Sequence, residues 1–86
     1  MDQTHLRDRL VDLAEQLGLA VRPAPPAEGH PGGAAVKLRG QWILFLDPTA
    51  APAEQIPVLV TALKDRPELQ DRFLPPELRE LLDEVR

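Results

Sequence analysis

This chain predicts an α+β fold in one small domain spanning 1–86: helix, strand, β-hairpin, helix, helix, with about three mainly antiparallel strands covered by the helices. Three observations predict it. The stretch from Gly32 to Asp47 reads as two strands joined by a tight turn at Arg39-Gly40. Apolar residues recur at helical spacing on both sides of that stretch. Eighty-six residues without cysteine supply one thin core and no disulfide to reinforce it.

Asp2-Gln3-Thr4 offers N-cap candidates for a helix from about Thr4 to Leu17. Leu6, Leu10, Leu13, Ala14 and Leu17 form its apolar stripe, and Gly18 suits the position just past its end. Leu19-Ala20-Val21-Arg22 is a short strand, placed at a sheet edge because Pro23 follows it. Pro23 to Gly33 is a loop rich in Pro, Gly and Ala, long for a compact domain. It reads either as a mobile connector or as a functional loop using Glu28 and His30.

A two-residue turn at Arg39-Gly40 pairs Leu38 with Gln41, Lys37 with Trp42 and Val36 with Ile43. Val36, Leu38, Ile43 and Phe45 then share one face, and Lys37, Trp42, Leu44 and Leu46 the other. A three-residue loop shifts this pairing by one. In either register the run Trp42 to Leu46 is apolar on both faces, as in a strand buried on two sides.

Asp47 to Pro52 is a turn into a second helix, with Thr49 a possible cap and Ile56, Leu59, Val60 and Leu63 its stripe. Pro57 requires either a start near Ala53 or a kink. Beyond Pro67, Leu69 and Phe73 are spaced to share a helical turn under the domain. Pro76 suits the first position of a last helix with the stripe Leu78, Leu81, Leu82 and Val85, and Arg79 and Asp83 can pair on its outer side. The expected core is Leu10, Leu13, Leu17, Val36, Ile43, Phe45, Leu59, Val60, Leu63, Leu78 and Leu82.

The chemistry the chain can carry is narrow. It has no cysteine, serine or tyrosine, and its hydroxyls are Thr4, Thr49 and Thr61, none in a nucleophile motif. His5 and His30 are too few and too far apart in sequence for a metal site, so neither metal nor cofactor is expected. The net charge is −4 and basic residues are dispersed, which disfavours nucleic acid; Arg22, Lys37 and Arg39 are the one candidate patch. No apolar run approaches a membrane span and the first residues are charged, so a cytoplasmic protein is expected. Frequent proline and the absence of asparagine suit a thermophile, or equally a GC-rich genome.

The unit Trp42-Ile43-Leu44-Phe45-Leu46-Asp47 followed by Ala53 to Leu63 is similar to one region of the ImmA/IrrE class of zinc-peptidase-like proteins. There a sheet strand runs into the helix that carries His-Glu-x-x-His. The similarity covers about a quarter of the chain, and Val60-Thr61-Ala62-Leu63-Lys64-Asp65 contains no histidine. It implies a shared strand-helix scaffold without the zinc ligands or the peptidase activity. In general cast the chain is also similar to other small bacterial proteins.

Two functional expectations follow. The first is an interaction module without catalysis, which self-associates as a homodimer or docks on a protein partner. Trp42, Leu44 and Leu46 would lie at its contact and Arg39 at the rim. The alternative is a small-ligand binder or enzyme using the 23–33 loop with His30, Asp47 and Glu54.

Overall fold

The Asp2 carboxylate accepts the backbone N–H of His5 at 2.8 Å. It thereby satisfies one of the donors that every helix start leaves without a partner. That cap opens α1 (Gln3–Gln16), which buries Leu10, Leu13 and Ala14. The structure, a computed structural model, describes residues 2–25, 28–64 and 66–84.

After α1 come β1 (Ala20–Pro23), β2 (Gly33–Leu38) and β3 (Gln41–Leu46). They form a three-stranded sheet in the order β1-β3-β2. The hairpin is antiparallel with Val36 opposite Ile43, Lys37 opposite Trp42 and Leu38 opposite Gln41, the register of a two-residue turn. Arg39 (φ 52) and Gly40 (φ 81) are both left-handed, as a type I′ turn requires. Arginine has no special freedom there, so its backbone is held by the flanking strands. β1 lies at an edge, as Pro23 suggests, but runs parallel to β3, so the sheet is mixed. Its direction follows from the loop. Pro23 and Gly33 both sit beside Leu46, so the chain passes over the end of β3 and turns back.

That loop end is fixed by close backbone approach. Gly32 (φ 85) lies against the first turn of the following helix, where a Cβ would run into the Glu54 carbonyl. A Cβ on Gly33 (φ 137) would run into the carbonyl of Phe45. Only glycine allows both the positive φ and the distance.

α2 (Pro52–Leu63) is capped by Ala51, without a side-chain bond. Thr49 is not the cap: its N–H and hydroxyl both donate to Asp47 Oδ1, at 2.9 and 2.7 Å. The helix starts one residue before Ala53 and continues through Pro57, which is exposed. A 3-10 helix (Pro67–Asp71) and α3 (Pro76–Glu84) complete the chain, with Pro76 at the first position of α3. Leu69 is buried there, whereas Phe73 points to solvent at 89% exposure, so the two share no buried turn. Arg79 does not reach Asp83 as its partner; Nη2 donates to the Arg72 carbonyl at 2.9 Å. Arg72 in turn donates to Gln16 Oε1 at 2.7 Å and ties this segment to α1. Val85 lies outside the described residues.

The core collects Leu10, Leu13 and Leu19 with Leu44 and Leu46, Leu59 and Leu63, and Leu78 and Leu82. All the helices therefore share the side of the sheet that carries Leu44 and Leu46. This corrects the expected core. Its helical members are buried, except Leu17, which packs against the core half-exposed. Val36, Ile43 and Phe45 are on the opposite face; Val36 is exposed and the other two are half-buried. Alternation decides which residues travel together, and here both sets are apolar. The choice of face fell to the helices, which cover Leu44 and Leu46. Nor does α3 cover the other face, since its leucines belong to the same core.

Candidate interaction surface

The uncovered face is built by period-two alternation on three strands. β2 contributes Ala34, Val36 and Leu38, β3 contributes Ile43 and Phe45, and β1 contributes Ala20 and Arg22. Leu38 is 55% exposed and Val36 42%. A sheet face with this much aliphatic and aromatic surface is what a layered domain normally buries. Arg22 and the turn residue Arg39 are its nearest charges, and no strand carries an acidic residue.

The interaction residues expected from sequence separate into two groups. Leu44 (0% exposed) and Leu46 are inside their own core and cannot line a contact with another molecule. Trp42 is on the same helix-facing side but near the turn, and keeps 40% of its surface. It walls a cavity of about 510 Å³ with Ala35, Thr61, Ala62 and Arg66. Arg39 is exposed at the tip of the hairpin. Val36, Ile43 and Phe45, assigned to the interior from sequence, face outward together with Leu38. The basic patch also divides: Arg22 is on the open face and Lys37 on the helix-facing one.

His30, Asp47 and Glu54 do not gather around one cleft. His30 and Glu54 are exposed, and Asp47 is buried. No described cavity is lined by more than one of the three. The Asp47 carboxylate orders its own turn through Thr49, and the Asp47 carbonyl accepts the Gln55 side-chain amide at 2.8 Å. Gln55 Oε1 accepts from Arg7 Nη1 at 2.8 Å, so a buried amide joins α1, α2 and the end of β3. Sequence reading missed Gln55. Its signal was faint: one polar residue beside Ile56 on the inner face of α2. Among the described residues no three His, Asp or Glu side chains converge as a metal ion would need. None of the described helices is long and apolar enough to cross a membrane.

No family model, curated protein or solved structure matches this chain.

Proposed function

We propose that this protein is a small interaction module whose contact surface is the uncovered side of its sheet. The observation that carries the reading is the exposure of Val36 and Leu38 beside half-buried Ile43 and Phe45, with no described helix over them. Each of these side chains gains on burial against a partner, in proportion to the apolar area removed from water.

The expected homodimer is kept only as one form of this reading, with a changed contact. It would use Val36, Leu38, Ile43 and Phe45 in place of Leu44 and Leu46. A face-to-face pair by this surface brings Arg22 and Arg39 of both copies to one contact, with no acidic strand residue to meet them. Like charges at a contact are unfavourable, which favours a different protein as partner.

The test is direct binding. A partner captured with the wild-type chain is purified and titrated against wild type and against Val36→Glu, an exposed substitution that leaves the core alone. Loss of binding with an unchanged fold supports the surface. Equal binding by both proteins removes it.

A further inference from the structure

The edge of β2 adds a second element to this surface. Asp47 N–H donates to the Gly32 carbonyl at 3.0 Å. Antiparallel bonding alternates from there, so Ala34, Val36 and Leu38 bond β3, while Ala35 and Lys37 turn N–H and C=O outward. Neither outward pair has a backbone partner among the described residues. The two edges of the sheet differ in protection. β1 is four residues long and ends in proline, whereas β2 has six residues and no proline. An edge of this length, blunted by Lys37 alone, is a template for another strand.

On the helix side of the same edge runs a groove between β2 and α2. One part, about 410 Å³, is lined by His30, Ala35, Pro57, Val58 and Thr61 among others. The next, about 510 Å³, is lined by Ala35, Trp42, Thr61, Ala62, Arg66 and Glu68 among others. Shared Ala35 and Thr61 make the two parts continuous. A strand added to β2 would send every second side chain toward this groove, at a spacing of about 7 Å. Two successive inward side chains would then reach the two parts.

We propose that β2 and this groove receive an extended segment of a partner protein by strand addition. The segment carries apolar side chains at alternate positions and acidic residues at its flanks. Main-chain pairing supplies affinity and the groove supplies selectivity. Charge decides the flanks. Lys37 is on the groove side of β2, Arg39 is at the turn and Arg66 is in the groove wall, against one acidic side chain among the described lining residues, Glu68. A second copy fits less well. In an antiparallel two-fold pairing of β2 it would offer Gly33, Ala35 and Lys37 to the groove, which are small or charged. This proposal rests on the interaction-module reading and specifies its partner.

The test uses an acetylated, amidated peptide, Glu-Asp-Val-Leu-Val-Leu-Asp-Glu, titrated into isotope-labelled protein while backbone amide shifts are followed. Shifts at Ala35, Lys37, Thr61 and the Trp42 indole are expected. Affinity should fall roughly tenfold when lysine replaces the acidic flanks, as for a few surface charge pairs lost together. Thr61→Arg, on an exposed helix position, and Ala35→Leu, which fills the groove floor, should each abolish the shifts; two variants guard against misfolding of one. Saturating peptide without shifts overturns the proposal, as does binding that both variants leave unchanged. Shifts confined to Ile43, Phe45 and Arg22 overturn strand addition and leave the open-face reading standing. A wild-type dimer joined through β2 makes a second copy the occupant, and also overturns it. Loss of partner binding in Val36→Glu tests the wider reading separately.

Discussion

Gln55 donates its side-chain amide to the carbonyl of Asp47 from the first turns of α2, and does so at 3% exposure. The same side chain accepts from Arg7, which also donates to Asp8, so removing it strands chiefly the Asp47 carbonyl. Leaving a buried polar group unpaired costs about 1–3 kcal/mol. Gln55→Ala is expected to lower stability by about that amount. Urea unfolding with an unchanged midpoint would mean that water takes over both bonds.

The two faces of β3 give a sharper comparison. Leu44 is fully buried among the helices, and Phe45 is half-buried beside it on the open face. Leu44→Ala should cost about 2–5 kcal/mol, the range for a buried leucine. Phe45→Ala should cost less than half as much despite removing a larger side chain. The reverse order in denaturant melts would place the helices on the wrong face.

Gly32 and Gly33 invite a test of backbone proximity. Alanine at either position meets a backbone carbonyl and a positive φ at once. Each substitution should destabilise by about 1–3 kcal/mol or more, as strained backbone positions do. Thermal melts within a degree of wild type would mean that the loop can retreat from Glu54 and Phe45.

Arg39 offers a gain. It holds φ 52 in a type I′ turn whose preferred first residue is asparagine. Arg39→Asn should stabilise the hairpin by about 0.5–1 kcal/mol through relief of that strain. A rise in melting temperature checks it; a fall would show that the Arg39 side chain holds the turn.

The main helices, the strands and the hairpin turn were legible because they depend on local patterns. The leucine stripe of α1, the Arg39-Gly40 turn and Pro76 at the start of α3 each carry their own signal. The covered face of the sheet was not legible. Leu44 and Leu46 alternate with Ile43 and Phe45, and nothing in the strand itself distinguishes a side that helices will cover. The surface residues were misassigned with it, so Val36, Ile43 and Phe45 exchanged roles with Leu44 and Leu46. The parallel direction of β1 was hidden for a related reason, since it depends on the path of a loop. Phe73 was misplaced because spacing from Leu69 suggested a helical turn, and the 3-10 helix ends before it.

The strand order β1-β3-β2 also sets a sequence of events in time. β1 emerges early in synthesis, but its only neighbour in the sheet is β3, the last strand made. Until residue 46 has been added, the N-terminal helix and strand have no sheet to join. The hairpin closes over a two-residue turn and can form quickly by itself, whereas docking of β1 must bring together segments some twenty residues apart. Variants in the turn should therefore alter the folding rate through early hairpin closure. Variants in β1 should act chiefly on unfolding.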